Sequence, residues 1–398
     1  MNHKGIIFCV CGIAAAGLLL HFGCRIVPDT DSVDFLYGEK VFVPEYQAHL
    51  FGIDVHDQVQ VIEDIDEKKY GSYTINYNWK FLGIPFGKAK TSVNILDVDA
   101  PEIQLTGDAV CFTKINETYT LPAYSVKDNC DPETDIEVKI TGNVDNTKAG
   151  TYDAMLTACD LSGNCSGKAL TMVVSDVSDV EFEQPDFNLE KYDSGNIILP
   201  YAEELLDDYK FSEILFCGDS NYVNMSVYNG LPGSQVIGRY ALAPDTFEEP
   251  SFYQGIQTDV SVSEYIRRLQ SKILLLNMGL AEIGNGNPLK MIDTYEKCID
   301  EIHELSPDTQ VVIAAVLPVC ESYNEPGLEQ SQINRYNYCL LEMCSRLGLK
   351  MVDPNIYFKD GSGWANPDFF LEDGYHIKAA FFNLYEEVVR RSIMSMGD

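Results

Sequence analysis

The chain has 398 residues, of which 45% are hydrophobic and 22% charged, and its formal net charge is −33. This length exceeds one ordinary hydrophobic core and predicts two or three domains. A nucleic-acid partner needs a basic face, and flat binding to anionic lipid needs clusters of Lys and Arg, so the acidic composition argues against both. It is typical of proteins that stay soluble outside the cell.

The amino terminus carries an apolar run from Gly5 to Gly23 that follows Lys4. Nineteen residues approach the length that a helix needs to cross a bilayer, and no Ala-x-Ala-like cleavage site follows. We expect residues 1–25 to form an uncleaved membrane anchor, with a cleaved signal segment as the alternative. The remainder is then exported and held at the cell surface.

The twelve cysteines show no paired Cys-x-x-Cys pattern, so the sequence predicts no zinc site. In an exported protein, those in the middle of the chain are candidates for disulfides: Cys111, Cys130, Cys159 and Cys165. Those nearer the carboxyl terminus lie mostly in apolar contexts that are typical of buried free thiols: Cys217, Cys298, Cys320, Cys339 and Cys344.

An internal repeat organises residues 26–177. Gly71-Ser-Tyr73 recurs 79 positions later as Gly150-Thr-Tyr152, and Asp66 and Asp97 recur as Asp145 and Asp176. Alternating segments such as 73–77 and 136–140 predict strands, turn residues separate them, and helical periodicity is missing. We therefore predict two small antiparallel β-sandwiches, at 26–99 and 100–177.

The second unit resembles bacterial immunoglobulin-like repeats of surface proteins through Asp128-Asn-Cys-Asp131, Gly142-Asn-Val-Asp145 and Asp160-Leu-Ser-Gly-Asn164. The likeness implies that Cys130 pairs with Cys165 or Cys159. The acidic turns lack the ligand spacing of an EF-hand, so we interpret them as solvated turn carboxylates rather than calcium ligands. Both units are interpreted as spacers.

After an acidic linker, predicted at 178–198 and containing Pro185, the pattern changes to strands alternating with helices. A short helix is predicted at 201–209. Strands are predicted at 213–217, 235–238, 272–277, 310–316 and 350–353, and further helices at 265–270, 289–305, 330–347 and from near Lys378. Near-continuous apolar strands between helices indicate a parallel sheet covered on both faces, with chemistry at the carboxyl ends of its strands.

Two short motifs occupy the two ends of this region. The first predicted strand runs into Gly218-Asp-Ser220, and Asp373-Gly-Tyr-His376 precedes the last helix. A serine nucleophile needs a base within hydrogen-bond reach, and that base needs an orienting acceptor. The alternatives are that Ser220 and His376 are ordinary helix-cap residues. His303 lies near the carboxyl-terminal end of its predicted helix. We interpret it as a residue that interacts favourably with the negative end of the helix dipole, rather than as a catalytic base.

Together these motifs resemble the SGNH (GDSL-type) hydrolases over residues 199–398. The resemblance implies an α/β three-layer, flavodoxin-like domain with a parallel sheet, placed after two immunoglobulin-like sandwiches. It also implies Ser220 as nucleophile, His376 as general base and Asp373 as its orienter. The chemistry implied is ester hydrolysis or acyl transfer through an acyl-serine, without metal or cofactor.

The oxyanion donors depart from the pattern of this family. The usual Gly-x-Asn-Asp is replaced by Gly279-Leu-Ala-Glu282, so Ala281 stands where the donor Asn is expected. Asn285 or Asn287 is a candidate to replace it, and Gly238 and Gly279 are candidates for the glycine positions. Loss of one such donor typically costs about 100- to 1000-fold in turnover.

The function expected from these features is a cell-surface serine esterase that removes O-acetyl groups from a carbohydrate or cell-wall polymer. An O-acyltransferase acting on the same polymers is the near alternative. A non-catalytic surface module, in which a degenerate hydrolase domain binds glycan, is the alternative from another class, and Ala281 is its main support.

Overall fold

The computed structural model describes residues 23–106, 109–285, 287–323 and 328–396. Almost all of the predicted anchor, residues 1–25, lies outside them. Among the described helices, none is both long enough and apolar enough to cross a membrane. The chain divides into two compact units: one from the described residues of 1–104, 124–140 and 156–168, the other from those of 105–123, 141–155 and 169–398. The predicted domain boundaries stay predictions.

The first β region forms two sheets. Its strands are β1 (Cys24–Pro28), β2 (Ser32–Leu36), β3 (Tyr46–Leu50), β4 (Ile53–Asp54), β5 (Val59–Ile62), β6 (Gly71–Phe81) and β7 (Ile84–Leu96). The sheet orders are β1-β3-β4 and β2-β7-β6-β5. Alternate residues of β6 are buried, as expected for a strand with one face on a core. That core contains Ile26, Ala48, Phe35, Tyr77, Trp79 and Val93.

The second β region has strands β8 (Glu102–Leu105), β9 (Val110–Lys114), β10 (Tyr124–Lys127), β11 (Glu137–Gly142), β12 (Gly150–Cys159) and β13 (Cys165–Ser175). Its sheets have the orders β10-β8 and β11-β12-β13-β9. In both regions the last strand pairs in parallel with an early one, β7 with β2 and β13 with β9. This shared feature supports the internal repeat.

The disulfide in this region joins Cys159 to Cys165. The first ends β12 and the second begins β13, so the turn between the two strands brings their Cα atoms to 4.2 Å. The pairing of Cys130 with either of them, which the resemblance implied, is therefore wrong. Cys130 is a free thiol.

The α/β region contains one mixed sheet. Its strands are β14 (Ile214–Gly218), β15 (Gln235–Gly238), β16 (Pro250–Tyr253), β17 (Ile256–Ser261), β18 (Ile273–Leu276), β19 (Gln310–Ala314) and β20 (Lys350–Val352), in the order β17-β16-β15-β14-β18-β19-β20. Five neighbouring strands of this order pair in parallel: β15, β14, β18, β19 and β20. Strands β16 and β17 extend the sheet beyond β15 as an antiparallel edge. The parallel part has the flavodoxin-like order 2-1-3-4-5.

The helices are α1 (Asp179–Phe182), α2 (Asp208–Phe211), α3 (Ser220–Val227), α4 (Val262–Leu269), α5 (Pro288–Leu305), α6 (Gln330–Leu347), α7 (Asn355–Phe358) and α8 (Phe382–Met394). Short 3-10 turns occur at His56–Gln58, Glu133–Asp135, Leu189–Tyr192, Pro244–Thr246, Ile283–Asn285, Glu321–Tyr323 and Ala379–Phe381. The predicted alternation of strands and helices is confirmed.

The parallel strands are apolar on both faces because each face meets its own core. Leu215, Cys217 and Leu274 pack on one side with residues of α5 and α6. Ile214, Phe216 and Leu275 pack on the other with residues of α3 and α8. Burial on both faces explains why these strands read as continuous apolar runs.

Two predicted segments differ from the structure. The helix predicted at 201–209 is wrong, since α2 begins only at Asp208, where the Asp207 side chain accepts a hydrogen bond from the N–H of Lys210. Residues 178–198, predicted as a linker, contain α1 and bury Phe182 and Leu189. Their charge and Pro185 suggested a linker, but these apolar side chains pack into the core.

Candidate active site

Ser220 lies at the carboxyl end of the central strand. Strand β14 ends at Gly218, the Asp219 side chain caps α3 by accepting the N–H of Asn221 at 2.9 Å, and Ser220 is the first residue of the helix. A Cβ at Gly218 would collide with the ring of Tyr222, so the turn requires glycine. The serine hydroxyl thus stands at a helix amino terminus, where partial positive charge gathers.

The loop before α8 brings His376 and Asp373 to this serine. His376 Nε2 lies 2.7 Å from Ser220 Oγ, and His376 Nδ1 lies 2.8 Å from Asp373 Oδ2. Asp373 Oδ1 accepts the backbone N–H groups of Tyr375 and His376 at 3.2 and 3.0 Å. With the Nδ1 proton donated to Asp373, the Nε2 lone pair faces the serine hydroxyl, as removal of its proton requires.

The Asp373 carboxylate is held in its charged form. Partial burial acts to raise its pKa, but the hydrogen bonds from the His376 ring and from the backbone of His376 and Tyr375 outweigh it, so the pKa is lowered. A charged Asp373 can orient the imidazole and stabilise the imidazolium that would form when Ser220 gives up its proton.

A cavity of about 540 Å³ opens over the serine and the imidazole. Ser220 and His376 line it together with Asp219, Asn224, Tyr240, Ala241, Leu280, Ala281, Tyr323, Leu328 and Tyr375. Tyrosine rings offer both an apolar face and a hydroxyl. The site can therefore admit a ligand that is partly apolar and partly hydroxylated.

The two glycines predicted as oxyanion donors are not among the described residues of the cavity wall. Gly238 ends β15, where it pairs with Gly218 of β14. A Cβ at Gly238 would come within 2.7 Å of Val223 Cγ2, so the absence of a side chain allows β15 to pack closely on α3. The Gly279 N–H already donates to Leu242 O at 3.1 Å. Neither glycine lines the described part of the cavity. The side chain of Asn285 lies outside the described residues.

Other possible donors belong to residues that line the cavity. Within the described part of the chain, the backbone N–H groups of Ser220 and Ala241 and the side-chain amide of Asn224 have no protein acceptor. Ala241 holds a left-handed backbone, with φ of 55°, and Asn224 follows Ser220 by one helical turn. Asn277, which directly follows β18, does not take this role because its amide donates to Ala314 O and Ala315 O.

Asn221 ties the two halves of the site together. Its buried carboxamide donates to Tyr375 O at 3.3 Å and accepts the N–H of Ile377 at 3.0 Å, so it holds the backbone on both sides of His376. Sequence reasoning missed this residue. The only signal was its position beside Ser220, since its partners lie more than 150 positions away.

Asp219 is a second carboxylate near the imidazole, in a different environment. Complete burial raises its pKa to about 6, although the Asn221 N–H and His376 oppose this rise. It is therefore more easily protonated than Asp373, and its charge is costly to hold.

No protein-family profile matches the chain, and no curated protein sequence is significantly similar to it. Solved structures are similar to about half of it. A GDSL-like lipase from Bacteroides thetaiotaomicron is 14% identical, with 53% of this chain and 98% of that chain covered and a TM-score of 0.35. A carbohydrate esterase of family 3 from Talaromyces cellulolyticus is 12% identical, with 46% and 96% covered and a TM-score of 0.34.

The periplasmic domain of a lipopolysaccharide acetyltransferase from Salmonella ser. Paratyphi A is 15% identical, with 46% of this chain and 84% of that chain covered and a TM-score of 0.32. At such identities and TM-scores, these similarities do not establish a family. The geometry of the site itself is therefore the basis for proposing a function.

Replacing Asn221 tests whether it positions His376. Asn221→Ala removes both hydrogen bonds and leaves the buried N–H of Ile377 unpaired, which costs about 1–3 kcal/mol of stability. We expect kcat on p-nitrophenyl acetate to fall about 10- to 100-fold with KM little changed, because a mispositioned base slows the chemical step. The control is Asn355→Ala, a buried asparagine that donates to Val316 O. It should lose comparable stability and keep kcat, and a folded Asn221→Ala with normal kcat would contradict the role.

Replacing Asp219 tests its raised pKa. Between about pH 4 and 6 the folded protein retains a proton that the unfolded chain has lost, so stability falls as pH rises through this window, by up to about 3 kcal/mol. Asp219→Asn keeps a good cap and removes this fall. In urea denaturation, the free energy of unfolding of Asp219→Asn minus that of wild type should increase from pH 4 to pH 7.5. Asp207→Asn, at an exposed cap, should show no such increase, and parallel curves for wild type and Asp219→Asn would refute the interpretation.

Proposed function

We propose that this protein is a serine esterase that hydrolyses O-acetyl groups on a carbohydrate polymer at the cell surface. The observation that carries the proposal is the continuous hydrogen-bonded series Asp373–His376–Ser220, with contacts of 2.8 and 2.7 Å, in which Ser220 and His376 line an open cavity. Ser220 is the nucleophile, His376 the general base and then general acid, and Asp373 the orienting carboxylate.

The reaction proceeds in two halves. Ser220 Oγ attacks the acetyl carbon as His376 Nε2 takes its proton, and the sugar hydroxyl leaves with that proton. Water, deprotonated by the same imidazole, then attacks the acyl-serine and releases acetate. The Ser220 and Ala241 N–H groups and the Asn224 amide serve as oxyanion donors in place of the glycine and asparagine of the SGNH pattern.

The carbohydrate substrate is supported by the cavity and the charge of the chain. Tyr240, Tyr323 and Tyr375 give the cavity aromatic walls with hydroxyl groups, which suit the apolar faces and hydroxyls of sugar rings. The net charge of −33 repels anionic polymers, so a neutral acetylated glycan fits better than an acidic one.

The β regions complete this proposal as spacers. Their internal repeat and paired sheets support two immunoglobulin-like modules between an amino-terminal membrane anchor, residues 1–25, and the hydrolase region. Such modules would hold the active site away from the cell surface, within reach of a polymer.

Covalent labelling tests the activated serine. The full-length chain should react with a fluorophosphonate probe, while Ser220→Ala should not react and His376→Ala should react at least about 100-fold more slowly, because the alcohol then lacks its base. The control is Ser226→Ala, on the same helix. A folded wild type that stays unlabelled would overturn the proposal and favour a glycan-binding module.

The fate of the acetyl group separates hydrolysis from transfer. With acetylated xylan as donor, release of free acetate supports the esterase. Acetyl transfer to an added oligosaccharide, without free acetate, would instead make the protein an O-acyltransferase.

The role of Asn224 has a separate test. Asn224→Ala should lower kcat about 100-fold, the typical cost of one oxyanion donor, with a smaller change in KM, since the donor acts mainly on the charged transition state. Ser226→Ala, two residues along α3, should leave kcat unchanged because its hydroxyl lies beside Gly255. An equal loss in both variants would mean that the helix, and not the amide, is affected.

A further inference from the structure

Buried carboxylates meet where the two β regions join. One carboxylate oxygen from each of Asp97, Asp131 and Asp160 lies within 4.8 Å of the others. The exposed fractions of these residues are only 9%, 7% and 7%. All three belong to the same compact unit. Carboxylates so close and so little hydrated repel one another unless a cation or protons lie between them.

Asp97 is the least satisfied of the three. Both of its oxygens are buried and neither accepts a hydrogen bond. The Cys130 thiol and the Ser162 hydroxyl lie close to this carboxylate, but neither reaches hydrogen-bond geometry with it. A buried carboxylate without donors is costly, so this side chain points to a missing positive partner.

The other carboxylates are held in place by the turns around them. Asp131 accepts the Tyr70 hydroxyl and the Leu161 N–H, both at 3.0 Å. Asp160 accepts the backbone and side-chain N–H groups of Asn164 at 2.8 and 2.9 Å. Their positions are therefore fixed before any ligand arrives.

Asp128 adds a fourth carboxylate beside Asp97 and Cys130. Its Oδ1 accepts two backbone N–H groups, while its Oδ2 is buried without a partner. In the described part of the chain, no Lys or Arg forms an ion pair with any of the four. The cluster thus presents several oxygens that lack a counter-charge.

We propose that this cluster, Asp97, Asp128, Asp131 and Asp160, binds one calcium ion. Calcium takes six to eight oxygen ligands, commonly carboxylates, in flexible geometry. The one nearby sulfur, Cys130, is outnumbered by carboxylates, which favours a hard cation over zinc.

The ion joins the two β regions. Asp97 directly follows β7, whereas Asp128 and Asp131 follow β10 and Asp160 follows β12. A cation held from both sides fixes the angle at this junction and stiffens the spacer. The interpretation of these acidic turns as solvated is wrong for Asp131 and Asp160, because neighbouring segments bury them.

Calcium titration of the purified full-length chain in mild detergent tests the site. Thermal unfolding, followed by tyrosine and tryptophan fluorescence, is measured after EGTA treatment and at about 10 µM to 10 mM CaCl₂, the range that covers extracellular calcium modules. We expect a midpoint increase of about 2–8 °C that EGTA reverses, because an ion that binds only the folded state stabilises it. Equilibrium dialysis with ⁴⁵Ca²⁺ should give about one ion per chain above the background of an Asp97→Asn variant, which lacks one of the ligands.

Matched variants decide whether the cluster is responsible. Asp97→Asn and Asp160→Asn should each weaken calcium binding at least about 10-fold, as expected when a charged ligand is lost. Asp176→Asn is the control because Asp176 occupies the equivalent repeat position and is exposed. Without calcium, Asp97→Asn should be at least as stable as wild type, since it removes an unpaired buried charge.

Several outcomes would overturn the proposal. These are no midpoint change in folded wild type, equal losses in all three variants, or a lower calcium-free midpoint for Asp97→Asn. A larger stabilisation by ZnCl₂ that Cys130→Ser abolishes would likewise replace calcium by zinc. Fluorophosphonate labelling of Ser220 does not depend on any of these results, so the two proposals fail separately.

Discussion

The candidate active site depends on one buried contact between distant parts of the chain, the carboxamide of Asn221 between the backbone of Tyr375 and Ile377. A serine at a helix amino terminus is unreactive without a base. His376 lies on a loop whose backbone is bonded to residues 369–371, and Asn221 connects that loop to α3. Because Asn221 adjoins Ser220 and bonds on both sides of His376, the nucleophile and base are set by one side chain. The 2.7 Å contact between them follows from that constraint.

Two carboxylates near the same imidazole differ because their donors and hydration differ. Asp373 accepts two backbone N–H groups and the ring, so its charge is stabilised. Asp219 is wholly buried and accepts one N–H as a helix cap, so its charge is costly. Such unequal environments give neighbouring acids different roles. Here Asp373 orients the imidazole of His376, and Asp219 caps the helix α3 that carries Ser220.

Local pattern was sufficient for most of the α/β region. Apolar runs between helices predicted the parallel sheet, and Gly218, Ser220 and His376 marked the ends where the chemistry is proposed. The oxyanion donors could not be predicted in this way. A backbone N–H has no signature in sequence, and the cavity position of Asn224 depends on how α3 packs. Likewise, the pairing of Cys159 with Cys165 depends on a hairpin turn, which the likeness to a family did not specify.

Asp97 and Asp176 show why a repeat alone cannot identify a binding site. Both come directly after the last strand of their β region, and in both regions that strand pairs in parallel with an early one. Asp97 is buried because the acidic turns of the next β region close around it, whereas Asp176 is exposed. The same residue at the same repeat position therefore differs in hydration and charge environment according to the region that comes after it in the chain. The turns of the second β region place further carboxylates beside Asp97, whereas the side chain of Asp176 stays exposed to solvent.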